Sequence, residues 1–192
     1  MTFGFAPPPA ASGSRLGRSL EPAEWAAAGI PLLRNPRELI TGLHTRHLPS
    51  PMTAVVAVLD PDDRLVASAS FARRSPTADG WELRNALLTQ LRQVIPHDLR
   101  RRTPVRTAVL LYCREGEAHW TDEDGAWMWG LRDACTLHGL RCGAYITLTA
   151  DGWRILGEGR SGRSPSSSSY RAVTSFEVGG GVDAAVPRSA VG

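Results

Sequence analysis

Two apolar runs of strand length constrain this chain more than any other feature. They are Thr53-Ala-Val-Val-Ala-Val-Leu59 and Val105-Arg-Thr-Ala-Val-Leu-Leu-Tyr-Cys113. The first is a β-branched run that reads as a strand, and the second reads as a buried strand. Helices are signalled around them. Asn35 caps a helix whose first residue is Pro36, with Glu38 placed for a capping box and Leu39, Ile40 and Leu43 as its apolar stripe. Asp79 and Glu82 open a second, with Leu83, Leu87, Leu91 and Val94 at helical spacing and Pro96 as its stop. Thr121 and Asp124 open a third, in which Trp127, Leu131, Ala134, Cys135 and His138 share a face and Gly139 ends the helix.

The remaining segments fit around these. Asp60-Pro-Asp-Asp63 is a turn, and Arg64 to Phe71 alternates after it, so residues 53–71 form a β-hairpin. Residues 144–149 and 153–156 form a second hairpin about Asp151-Gly152. Residues 22–28 make a short helix closed by Gly29. The expected fold is therefore α/β, a two- or three-layer sandwich on a mixed sheet, with a ββαβαββ core preceded by two short helices. Its expected boundaries are a disordered N-terminal segment at 1–18, a helical lead-in at 19–51, the α/β domain at 52–159, and a flexible Ser/Gly-rich tail at 160–192. Within that tail, Tyr170 to Val178 is an alternative short binding segment.

A net charge of +3 over 192 residues excludes little by itself. All 22 basic residues are arginine, and several lie in the expected tail, which leaves the folded part near neutral. Three cysteines without a Cys-x-x-Cys pair argue against a disulfide framework and for a reducing, cytoplasmic setting. No apolar run has the length of a membrane span, and the first residues do not resemble a secretory signal.

The loop after the second apolar run collects Cys113, Glu115, Glu117, His119, Asp122 and Asp124. Thiol, imidazole and carboxylate are zinc donors. A metal set of Cys113, His119 and Asp124 with Glu115 as general base is one reading. The favoured one is a capped helix start with solvated loop charges. His44 and His47 are neighbours on a helix, but no acidic donor completes a set. Arg100, Arg101, Arg102 and Arg106 form a basic connector that could meet phosphates, though without interleaved aromatics. Trp120, Trp127 and Trp129 crowd one helix start. Trp127 is expected to point inward, whereas Trp120 and Trp129 are candidates for a partner surface.

Residues 53–159 resemble the RadC-like branch of the JAB/MPN metalloprotease fold. The likeness lies in Val55 to Asp60 before Arg64-Leu65, in Leu110-Leu111 before a polar loop, and in Thr121-Asp-Glu-Asp124 opening a helix. It continues through Leu137-His-Gly-Leu140, Asp151-Gly-Trp153 and Gly157-Glu-Gly159. The resemblance implies zinc held by a His-x-His pair and by the aspartate of a Ser-x-x-Asp. Thr121 and Asp124 match the latter. The His-x-His positions fall near Cys113 and Glu115, and the later Asp-His falls at Ala144-Tyr145. The resemblance thus implies the fold and argues against the hydrolase. Leu33-Arg-Asn-Pro-Arg-Glu-Leu39 before an apolar strand is similar to an uncharacterised actinobacterial α/β family; the absence of lysine suits such GC-rich coding. The expectation is a non-catalytic, pseudoenzyme-like module with no cofactor that binds a protein partner. A rebuilt zinc hydrolase and a DNA-binding accessory protein are the alternatives.

Overall fold

The computed structural model describes residues 18–73, 79–96 and 104–165. Two helices lead in, α1 (Pro22–Ala27) and α2 (Pro36–His47). They are followed by β1 (Thr53–Leu59), β2 (Leu65–Ala72), α3 (Gly80–Val94), β3 (Thr107–Cys113) and α4 (Asp122–His138). Three strands close the domain: β4 (Arg141–Leu148), β5 (Gly152–Ile155) and β6 (Ser161–Arg163). The strands form one mixed sheet in the order β2-β1-β3-β4-β5-β6. Only β3 and β4 are parallel neighbours; the other adjacent pairs are antiparallel.

The unalternating apolar runs are covered on both faces. Ala54, Val56 and Val58 of β1, with Ala108, Leu110 and Tyr112 of β3, face the core beneath α3 and α4. Val55, Ala57 and Leu59, with Val109, Leu111 and Cys113, face the opposite core beneath α2, where Ile40 and Leu43 meet them. Every residue of β1 after Thr53 and every residue of β3 is buried. The described residues form an α/β sandwich on a mixed sheet, as the strand and helix succession implies, and helices cover both faces of that sheet.

The helix starts follow local chemistry. Asn35 accepts the Glu38 N–H on its side chain, and Asp79 accepts from Trp81 and Glu82 at 2.9 and 3.0 Å. Thr121 and Asp124 form a reciprocal capping box. Gly139, at φ 76°, ends α4 in the left-handed conformation that glycine adopts without strain.

Some boundaries move. β4 begins at Arg141 rather than at 144, and Gly152 belongs to β5, so that hairpin turns through residues 149–151. The domain does not stop at 159. β6 pairs with β5, the Arg160 guanidinium donates to the Leu33 carbonyl at 2.7 Å, and Ser164 is buried. A three-residue Ser-Gly-Arg strand carries no apolar period, so sequence patterning assigns it to the tail. The expected disorder of residues 1–17 and flexibility of 166–192, with Tyr170 to Val178, lie outside the described residues.

Candidate functional site

The parallel pair β3–β4 ends where α4 begins, and polar side chains converge there. In α/β sheets, loops at the carboxyl ends of parallel strands are the usual seat of ligands, because a rigid sheet positions them. Asp124 lies at the third position of α4, and its capping bond to Thr121 turns its carboxylate inward over the sheet. It is fully buried.

Both carboxylate oxygens are occupied. Oδ2 accepts from the Thr121 N–H at 2.9 Å, the Thr121 hydroxyl at 2.8 Å and Arg114 Nη2 at 3.1 Å. Oδ1 accepts the Tyr145 hydroxyl at 2.7 Å and lies 3.5 Å from the Thr147 hydroxyl. Arg114 leaves β3 directly, and its side chain is only 10% exposed. Its Nη2 also donates to the His119 carbonyl at 2.5 Å, which ties the loop over the pair. Burial holds the Tyr145 hydroxyl protonated well above its ordinary range, and the Asp124 charge adds to the effect. Tyr145 is therefore a donor here.

A second polar group lies on the same side of the sheet. The Tyr112 hydroxyl donates to Glu123 Oε1 at 2.5 Å, and Arg73, just beyond β2, pairs with the same carboxylate oxygen. Arg73 Nη1 also reaches the Tyr112 hydroxyl at 3.4 Å. Burial raises the Tyr112 pKa, with the Arg73 charge opposing it.

The alternative zinc set of Cys113, His119 and Asp124 is not assembled. Cys113 packs in the core beneath α2, whereas the partners of Asp124 are on the α3–α4 side. His119 is on the exposed loop beside Glu117, with Nδ1 at 2.8 Å from its carboxylate and both side chains more than 70% exposed. Glu115 is exposed. Among the described residues, no three His, Cys, Asp or Glu side chains group to hold a metal ion. The donor chemistry explains why: the Asp124 carboxylate is already paired with the guanidinium of Arg114, the residue that follows β3. These residues do not fit a zinc ion.

The other candidates are dispersed. Trp129 is not free surface: it is half-buried and packs at 6.3 Å against Trp81. Trp120 is also half-buried and packs on the main core. Both serve the seam between α3, α4 and the lead-in segment, where Arg18 lies over Trp81 at 4.1 Å. Trp127 is fully buried, as its helical position predicts. Arg106 is half-buried beside β3, with its carbonyl accepting the Arg141 N–H at 2.8 Å. Arg100, Arg101 and Arg102 lie outside the described residues. His44 and His47 diverge in role. His44 lines a shallow cavity of about 310 Å³ with Cys113 and Glu115, and His47 bonds the Ser68 hydroxyl at 2.8 Å.

Sequence reasoning missed Arg114, Tyr145, Arg73 and Glu123. The signal was present in part, since a tyrosine inside an apolar strand must find a partner for its hydroxyl. Among the described residues, no helix is long and apolar enough to cross a membrane. No family model, curated protein or solved structure matches this chain, so its function rests on the geometry of the Arg114–Asp124 site.

Proposed function

We propose that this is a non-catalytic α/β module of the cytoplasm, a degenerate form of the RadC-like JAB/MPN architecture, which works by binding a protein partner. One observation carries the reading: the buried Asp124 carboxylate is closed on both oxygens by Arg114, Thr121 and Tyr145. A catalytic carboxylate or metal ligand needs a free lone pair facing substrate or ion. This one faces a fixed internal cation. The guanidinium of Arg114 supplies the positive charge that the resemblance assigns to zinc, and it supplies no open coordination position.

The partner surface is best sought at the outer edge of β2, which pairs with no further strand among the described residues. This terminal strand is eight residues long and carries no charged side chain. Edges of that kind favour pairing with an added strand. Beside it, Phe71, Leu83, Ala86 and Trp127 line a groove of about 760 Å³ that would receive alternate side chains of that strand.

Metal analysis tests the reading. Protein purified from zinc-replete cells and dialysed without chelator is expected to carry zinc far below one equivalent. A stoichiometric, tightly held ion would overturn the proposal.

A further inference from the structure

The three cysteines are distributed unequally about the sheet. Cys113 belongs to the core beneath α2. Cys135 is buried in the core beneath α3 and α4, and Cys142 packs half-buried against that same core. Cys142 pairs in register with Ala108, and Cys113 with Leu148, at opposite ends of the β3–β4 ladder. Six residues of strand separate those ends, about 20 Å at the usual rise, and the sheet itself intervenes. Cys113 therefore cannot reach either of the others.

Cys135 and Cys142 are brought together by the end of α4. The Cys135 carbonyl accepts from both the Gly139 and the Leu140 N–H groups, the latter at 2.9 Å. This folds the chain back through the left-handed Gly139 and starts β4 beneath the last turn of the helix. Both side chains then face the same core across that turn, and the neighbouring Cys142, together with burial, holds the Cys135 thiol well above its ordinary range.

We propose that Cys135 and Cys142 are a redox-modifiable dithiol, oxidised by peroxide to a disulfide that staples the end of α4 to the start of β4. The half-buried Cys142 is the entry point. Its thiolate attacks one peroxide oxygen, which breaks the O–O bond, leaves a sulfenic acid and releases hydroxide that is protonated to water. The Cys135 sulfur displaces hydroxide from that sulfenic acid, the S–S bond forms, and the thiol proton leaves with the hydroxide as a second water. Two electrons pass from the sulfurs to one peroxide, and an external thiol reverses the change. Cys113, on the other face, stays reduced. The proposal does not depend on the absence of catalysis at Asp124.

The test uses the full chain treated with hydrogen peroxide, alkylated after unfolding and mapped by mass spectrometry. Free thiols are expected to fall from three to one, with a 135–142 cross-link, a loss of two hydrogens, and recovery of three thiols in dithiothreitol. The oxidised protein should also unfold at a higher temperature than the reduced one. The Cys142→Ser variant should keep two thiols, show no cross-link and lose that temperature difference. Three of the results possible for the wild-type chain would each overturn the proposal: three persisting thiols, over-oxidation of Cys142 without a cross-link, or a bond that includes Cys113.

Discussion

Asp124 has no exposure to water, so its charge is bearable only while its partners remain. Arg114 is the one cation among those partners, and it is itself nearly buried. Breaking a buried pair from one side strands the other charge and costs about 3–5 kcal/mol. Arg114→Met is therefore expected to destabilise the fold by about that amount in urea unfolding. Asp122→Asn, on an exposed residue of the same helix turn, should stay within about 0.5 kcal/mol of the parent. Equal effects from both would mean that the buried pair has no special weight. His47 makes a second residue-scale prediction. Burial, helped by the neighbouring Arg46 charge, lowers its pKa below the ordinary 6.5, and the ring bonds Ser68 across the α2–β2 seam. The unfolded chain then binds the proton more readily than the folded one. Stability from this group is complete above pH 6.5, the ordinary value, and declines as pH falls through the interval below it. His47→Gln should flatten that part of the stability–pH curve, and an unchanged slope would assign the dependence to other groups.

Elements obey the rules their ends advertise, and the crossings between them add rules of their own. Caps at Asn35, Asp79 and Thr121 are readable because each needs only a side chain and a backbone N–H two or three residues away. Thr121 and Asp124 are legible as a cap for that reason. Arg114, Tyr145 and Thr147, which turn the same aspartate into a buried network, come from other elements, and no spacing in sequence relates them. The helix–helix seam was equally hidden. Gly130 of α4 sits where a Cβ would meet Arg84 N at 3.1 Å and the Gly80 carbonyl at 3.3 Å, so α3 and α4 approach through it. Gly42 of α2 has nothing within 4 Å of the same position. The two glycines should therefore answer oppositely to substitution. Gly130→Leu forces the helices apart and is expected to cost about 1–3 kcal/mol or more. Gly42→Ala removes only the backbone freedom of an exposed helical glycine and should stabilise by about 0.5–1 kcal/mol. Thermal unfolding of the pair decides the matter, and the absence of a loss at Gly130 would refute the account of α3–α4 contact.

At the scale of the whole molecule, the sheet ends one strand later than patterning suggests, and that strand couples both ends of the described chain. The apolar runs of β1 and β3 are legible as strands, whereas the choice between two and three layers needs the burial of every residue after Thr53 in β1 and throughout β3, which only a doubly covered sheet provides. Ser161–Arg163 has no such signature; its place is dictated by what it covers. Gly162 lies so close to the Trp153 indole that a Cβ there would sit 2.6 Å from the ring, and this strand helps keep that tryptophan buried on β5. Arg160 reaches back to the Leu33 carbonyl ahead of α2 and pairs with Glu158. A chain ended after Gly159 loses the β5–β6 bonds, part of the cover on Trp153 and the Arg160 tie. Partial exposure of one large aromatic and the loss of a few hydrogen bonds amount to about 3 kcal/mol. A chain ended after Pro165 keeps all of these contacts. The first truncation should thus unfold at markedly lower urea and show a red-shifted tryptophan emission, while the second should match the parent in both. If the two truncations are indistinguishable, β6 contributes nothing to the sheet and the domain ends at 159 after all.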